Sequence, residues 1–262
     1  MMHPTAQRKL GRKPKWPVSV AHQLGALAPT YAAELVDGET IGWGRAVADW
    51  PMCLNDKIGC CTVAGVAHAA QALGVIGGQE RIMSDAEVVQ NYSLFGYHPG
   101  DPATDRGAAE EDVLTAWMKA GMAIGGTLDK INGFASINPN QTGIARFALA
   151  EFGVVYVGVN LPIAAQSHGV WDVPATLSPI DQPGSWGGHC MLLIEAEPDE
   201  HLDNLVTFVT WGTLQKATWR WWRTYCDEAH AVDHPAWTRP GSLSGFNPEE
   251  MRDAMKQIGG IV

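Results

Sequence analysis

Apolar positions recur at helical spacing through the first half of the chain and in short unbroken runs through the second. Between residues 62 and 75, Val63, Val66, Ala67, Ala70 and Leu73 share one helical face, with small residues between them that permit close packing. Ser84, followed three places on by Glu87, predicts a capped helix over 84–95. A third helix is predicted over 109–120, with Glu110, Glu111 and Asp112 in its first turn and Gly121 just past its end. A fourth runs from Thr142 to Phe152 and stops at Gly153. The character then changes. Val154 to Val159 is a β-rich run closed by Asn160 and Pro162. Cys190 to Ile194 and Leu205 to Thr210 are similar apolar runs, while Thr218 to Trp222 alternates less cleanly. Asn247-Pro248-Glu249-Glu250 predicts a short terminal helix with Asn247 as its cap.

Helices first and strands second, with no βαβ rhythm, predict an α+β protein: a helical lobe facing a mostly antiparallel sheet lobe. The divisions expected are a flexible basic arm over 1–16, a mainly helical lobe over 17–130, a β-rich lobe over 131–242 and a C-terminal helix over 243–262. No internal repeat is visible at any period that marks a solenoid or propeller.

Composition narrows the class. With 262 residues, 46% of them hydrophobic and 18% charged, the chain can bury a sizeable core and is not a disordered sequence. No run of about eighteen apolar residues predicts a membrane-spanning helix. A formal charge of −10 argues against a nucleic-acid surface as the main business of the chain. The beginning of the sequence lacks the apolar stretch of a secretory signal, and the cysteines number five, an odd count. Both point to a reduced, cytoplasmic protein without a disulfide framework. Arg8, Lys9, Arg12, Lys13 and Lys15, broken by Gly11, Pro14 and Pro17, read as a solvated tail, with docking onto an acidic partner as the functional alternative.

The chemistry centres on one cysteine and one histidine. In Asn55-Asp56-Lys57-Ile58-Gly59-Cys60-Cys61-Thr62, a glycine-containing turn delivers Cys61 to the first turn of a predicted helix. Free backbone N–H groups and the helix dipole there favour a thiolate, so the thiol pKa is expected to fall. The same amide can stabilise an oxyanion, with the side chain of Asn55 as a second donor. A small cysteine packed beneath a helix is the bland alternative. His189 opens the apolar strand that follows Gly187-Gly188, where it can face a cleft while its neighbours anchor the strand. Its separation from Cys61 is close to the roughly 130–150 residues between the cysteine and the later site residues of papain-type enzymes.

Taken together, these residues resemble a papain-like cysteine peptidase. Asn55 falls on the family's glutamine, Gly59 on the glycine of its turn and Cys61 on its nucleophile. Asp49-Trp50 resembles the start of many mature members, and Ile144 to Val159 resembles the entry into the sheet lobe. Val209-Thr210-Trp211-Gly212 echoes the family's Asn-Ser-Trp-Gly motif, so the likeness runs patchily from about residue 49 to about residue 225. The departures are specific. Val209 stands where the family has the asparagine that orients the imidazole, and the adjacent Thr210 offers a hydroxyl for part of that job. Strand register decides which of the two faces His189. Asn55 is one methylene shorter than glutamine, Thr62 replaces the usual aromatic, Cys60 adds a second thiol, and Ile58 sits where a disulfide cysteine is common. An inhibitory pro-segment is not recognisable in the residues before the resemblance begins.

The resemblance implies a peptidase or amidase working through a Cys61–His189 dyad and an acyl-enzyme, with a peptide or protein as substrate. It calls for no cofactor, no metal, no nucleic acid and no membrane partner. Two rivals remain: a catalytically silent scaffold of the same fold, suggested by Val209 and Asn55, and an acyltransferase or cell-wall amide hydrolase on the same dyad. Elsewhere, Cys226, His230 and His234 at four-residue spacing would share a helical face and offer three zinc ligands, against a plain surface helix end. His68 and Glu80 read as structural or solvated residues. Trp219, Trp221 and Trp222 read as core packing of the sheet lobe, or else as a cleft lining.

Overall fold

A computed structural model describes residues 8–15, 24, 38–167, 169–237 and 253. The helix expected over 243–262 and its cap at Asn247 lie outside the described residues. Among the described residues five α-helices are delimited in order: α1 (Cys61–Ile76), α2 (Asp85–Ser93), α3 (Glu110–Lys119), α4 (Thr142–Phe152) and α5 (Trp219–Tyr225). Nine strands accompany them: β1 (Ile41–Gly42), β2 (Met122–Ile124), β3 (Thr127–Asp129), β4 (Gly133–Ser136), β5 (Val155–Leu161), β6 (Gly187–Ala196), β7 (Leu205–Thr210), β8 (Thr213–Thr218) and β9 (Cys226–Asp233). The main sheet runs β4-β9-β5-β6-β7-β8, with β1 added beside β6, and every pairing is antiparallel. The architecture is α+β, as the order of helical and strand patterns predicts.

The sheet is apolar on both faces because two layers cover it. Val155, Val157, Val159 and Leu161 of β5 join Met191 and Leu193 of β6 in one core with α4 and α5. The alternate residues Tyr156, Cys190, Leu192 and Ile194 point the other way, into a core built on α1, α2 and α3. The period of two explains why these strands read as unbroken apolar runs. Helix α1 is buried nearly all round, consistent with its unbroken small and apolar composition. At Gly65 it lies so close to the sheet that a Cβ would stand 2.7 Å from the Tyr156 ring and 2.9 Å from the Cys190 sulfur. The Tyr156 hydroxyl completes that contact by donating to the Thr62 carbonyl.

Local signals explain the helix ends. Ser84 and Glu87 close the reciprocal cap of α2, with the Ser84 amide 2.8 Å from the Glu87 carboxylate. Helix α4 stops at Gly153, whose φ of +82° is left-handed. Two segments differ from the sequence pattern. Trp219 to Trp222 is helix rather than strand: Thr218, the last residue of β8, caps α5, accepting from the Trp221 amide at 3.0 Å. Trp219, Trp221 and Trp222 are then all buried in the core. The segment from Cys226 is a strand rather than a helix, so period two, not four, governs it. His230 bonds Glu228 at 3.0 Å, His234 bonds Asp129 at 3.0 Å, and the Cys226 thiol donates to the Glu228 carbonyl, so the three do not converge on one point.

The basic arm is the larger difference. Residues 8–15 run between the two lobes instead of into solvent. The Lys9 amide donates to the Asn55 carbonyl at 3.0 Å and the Arg12 amide to Gly188 at 3.3 Å. Ala108 brackets the arm, donating to the Gly11 carbonyl at 2.9 Å and accepting from the Lys13 amide at 3.0 Å. The crossing is tight: a Cβ at Gly11 would fall 1.7 Å from the Gly59 carbonyl oxygen.

Candidate functional site

Cys61 is the first residue of α1, behind a turn in which Asp105 accepts from the Gly59 amide at 2.9 Å. Its side chain is fully buried. The amides of Cys190 and Gly11 face the thiol, and the charge of Arg12 reaches it; these favour the thiolate. Burial outweighs them and pushes the thiol up to about 11. That reverses the expectation of a lowered pKa. A helix terminus contributes about 0.3–1 kcal/mol at an exposed position, less than the loss of water around a thiolate costs. Cys60, the competing thiol, points away, donating to the Cys53 carbonyl at 3.2 Å inside the helical core.

His189 lies on β6, immediately before the Cys190 whose amide faces Cys61. Successive strand residues face opposite ways, so Cys190 packs on the α1 side with Cys61 while the His189 side chain, on the alternate face of β6, meets Thr210. Its Nε2 is 2.8 Å from the Thr210 hydroxyl, while its Nδ1 is buried without a hydrogen-bond partner. Thr210 ends β7, and the register turns its side chain, not that of Val209, toward the imidazole; Val209 packs into the core on the α1 side. Trp211 follows with φ +45° and lays its ring over His189, centroids 4.1 Å apart and planes 11° from parallel. Trp186 stacks on the same ring at 5.4 Å, and the Arg8 guanidinium sits 4.8 Å from its centroid. Burial, then the positive charges of Arg12 and Arg8, hold the imidazole well below its usual pKa. At rest the site thus contains a thiol and a neutral imidazole.

Asn55 is 2% exposed and sits in the turn before α1. Its side-chain amide points at the Lys9 carbonyl at 3.5 Å, and the Trp211 indole N–H donates to the same oxygen at 3.2 Å. A peptide carbonyl is therefore already held by the group expected to hold an oxyanion. His68 bonds the Pro51 carbonyl at 2.8 Å and lies edge-on to Trp50, with burial lowering its pKa to about 4. Glu80 accepts from Gln71 at 2.9 Å. Neither belongs to the site.

Next to the cysteine is a second buried polar group that the sequence reading did not assemble. The Arg12 guanidinium bonds Glu228 at 2.8 Å, Asp227 at 2.6 Å and the side-chain oxygen Oδ1 of Asn160 at 3.3 Å. Glu110, from the first turn of α3, is wholly buried beside them, and burial followed by the nearby Glu228 raises its pKa well above the carboxylate range. Burial works against Glu228 too, but the hydrogen bond and charge of His230, with Glu111 and Arg12, hold its pKa down. A β-bulge on β9 opposite Gly158 and Val159 inserts Asp227, which is how two consecutive carboxylates reach one guanidinium. Glu110, Glu228 and His230 offer ligand atoms within 4.8 Å of one another, and the cation beside them is Arg12. The one signal in the sequence was a lone Gly-Arg inside a basic tail. Nothing in local patterning ties it to α3 and β9.

No family model and no curated protein matches the sequence. Solved structures do. Xylellain, a cysteine protease from Xylella fastidiosa, superposes with a TM-score of 0.60 over 89% of this chain and 99% of its own, at 13% identity. Digestive procathepsin L 3 of Tenebrio molitor larvae gives a TM-score of 0.55 at 12% identity, covering 87% of this chain and 76% of that one. The bromelain protease of Ananas comosus, solved with the E64 inhibitor, gives 0.51 at 12%, covering 74% and 98%. The chain has the fold of papain-like cysteine proteases, as the motif resemblance implies. Among the described residues, no helix is long and apolar enough to cross a membrane.

Proposed function

We propose that the chain is a cysteine-dependent hydrolase of peptide or amide bonds, with Cys61 as nucleophile and His189 as its proton carrier. The observation that carries this reading is the imidazole itself. Its Nε2 is tied to Thr210 and covered by Trp211, while Nδ1 is left unpartnered on the strand that borders Cys61. An orphaned, buried ring nitrogen is costly unless it has a task. His189 takes the thiol proton as the sulfur attacks the substrate carbonyl. The Cys61 amide and the Asn55 side chain hold the oxyanion. The imidazolium then protonates the leaving amine, and water, deprotonated by the same ring, releases the acid and regenerates the thiol.

In the resting form the arm of residues 8–13 lies where a substrate would, and neither Cys61 nor His189 is exposed. We read this as a latent state in which the arm has to move before turnover. The test is iodoacetamide labelling of each cysteine across pH, paired with turnover of an unquenching peptide library. Cys61→Ala is expected to abolish turnover, while Cys60→Ala retains it. Retained turnover in Cys61→Ala overturns the assignment. Labelling at Cys61 no faster than at Cys53, even after the arm is loosened by Arg12→Ala, favours the silent scaffold.

A further inference from the structure

The arm shows more than occlusion, because one of its side chains is read by a pocket. Arg12 is 7% exposed, and its side chain is almost entirely enclosed. Its floor and walls come from three distant elements: Glu110 on α3, Asn160 at the end of β5, and Asp227 with Glu228 on β9. Burial works to lower the guanidinium's pKa, and the neighbouring Glu110, Asp227 and Glu228 more than offset it, so Arg12 stays charged. Glu110 closes the pocket, wholly buried and with neither carboxyl oxygen bonded to Arg12. Space is reserved as well. At Gly158 a Cβ would stand 2.8 Å from a Glu110 oxygen and 3.0 Å from the Arg12 Cδ and Nη1, and at Gly188 one would stand 2.6 Å from the Arg12 carbonyl.

The backbone around Arg12 is held as an extended peptide would be, by Ala108 on one lobe and Gly188 on the other. Neither contact depends on the identity of the side chain. Main-chain bonds supply affinity and the pocket supplies selectivity, the usual division when an extended segment is captured. Since Gly188 directly precedes His189, and the Gly11 amide faces Cys61, the residue in this pocket is next to the reacting sulfur.

We propose that this acidic pocket is the specificity site of the enzyme, that it selects an arginine side chain in the substrate peptide, and that Arg12 occupies it in cis as a stand-in for that arginine. The inference rests on the hydrolase reading above and adds the substrate class. A guanidinium matches the site better than an ammonium, because separate N–H groups are directed at Glu228, Asp227 and Asn160.

Binding tests it without requiring turnover. The full chain carrying Cys61→Ala and Arg12→Ala is titrated with a fluorescein-labelled peptide of residues 8–15, Arg-Lys-Leu-Gly-Arg-Lys-Pro-Lys. The comparison peptide carries citrulline, isosteric but uncharged, at the position of Arg12. The arginine peptide is expected to bind on the order of tenfold tighter or better, since charge-paired contacts of this kind contribute at least that factor. Adding Glu228→Gln is expected to erase most of the difference. Equal affinity for the two peptides, or no binding of either, overturns the proposal. Should Arg12→Ala fail to fold, millimolar agmatine, a guanidinium on a four-carbon stem, is expected to restore its melting transition, and no rescue overturns the proposal equally. Arginine-selective binding by a protein whose Cys61 proves inert would sink the hydrolase reading and leave the pocket. Turnover indifferent to arginine in the substrate would do the reverse.

Discussion

Two buried polar sites lie beside residues 8–12 of the arm, and they solve the problem of burial in opposite ways. Around Cys61 and His189 the partners are a hydroxyl, two backbone amides and aromatic rings, so both groups rest neutral. Around Arg12 the partners are carboxylates, and the charges persist because they are paired. The first site is poised and the second is filled. In the proposed dyad the proton has to move uphill, from a thiol raised to about 11 to an imidazole held well below its usual pKa. A paired guanidinium stays until something else supplies the same charge. On the proposed reading, chemistry and recognition divide between neighbours that share the Gly188–Cys190 segment.

The largest effect that would sharpen this contrast comes at the sulfur. Cys61→Ala should lower turnover by about a thousandfold or more, the usual scale for removing a nucleophile, with the melting temperature nearly unchanged. Arg12→Ala should do the opposite, with stability falling and reactivity rising. Leaving buried carboxylates without their partner costs about 3–5 kcal/mol, read as a lower urea midpoint, while the iodoacetamide rate at Cys61 increases. If that rate stays at the wild-type value, the arm is not what closes the site.

A third expectation concerns pH and has the sign of neutral burial. The folded-state pKa of His68 is lowered to about 4 by burial, and that of His189 is lowered too, so the unfolded chain binds more protons below about pH 6.5. Stability should therefore be full above that value and be lost progressively as pH falls from 6.5 toward 4. On the alkaline side, Cys61 is raised to about 11 and Cys53 to about 12, both chiefly by burial. Unfolded thiols ionise from about pH 8.5, so stability should decline again above it. Urea titrations at a series of pH values would show a plateau between the two limits, and a monotonic profile would contradict neutral burial.

The smallest effect is expected at Thr210. Thr210→Val removes one hydrogen bond to the imidazole, on the order of 1 kcal/mol, and should lower kcat by about tenfold with KM unchanged. Thr210→Asn should restore activity and the pH profile if the hydroxyl acts by orienting the ring. Unchanged kinetics in Thr210→Val would mean that the Trp211 stack alone positions His189.

Much of the frame was legible because its signals are local. The α2 cap needs only Ser84 and Glu87, the α4 stop needs only Gly153, and β5, β6 and β7 follow from apolar runs. Motif spacing singled out Cys61, His189 and Asn55 as candidates, and the structure adds that Cys61 opens α1 and that His189 meets Thr210. The Thr218 to Tyr225 segment was harder, since aromatic-rich stretches suit a buried helix and a strand alike, and only the Thr218 cap distinguishes them. The stretch after Cys226 was misread because every fourth residue of a strand also falls on one face.

What the sequence by itself determined is the order of elements, the turn that delivers Cys61 to a helix start, and the strand that carries His189, which begins two residues earlier than expected, at Gly187. Each of these depends on residues a few positions apart. Tertiary structure decided the rest: that Cys61 is pushed up rather than down, that Thr210 and not Val209 meets the imidazole, and that Arg12 lies among Glu110, Asp227 and Glu228. Protonation depends on how much water surrounds a group, register depends on neighbouring strands, and a salt bridge depends on the path of the chain. None of these is a property of a local run of residues.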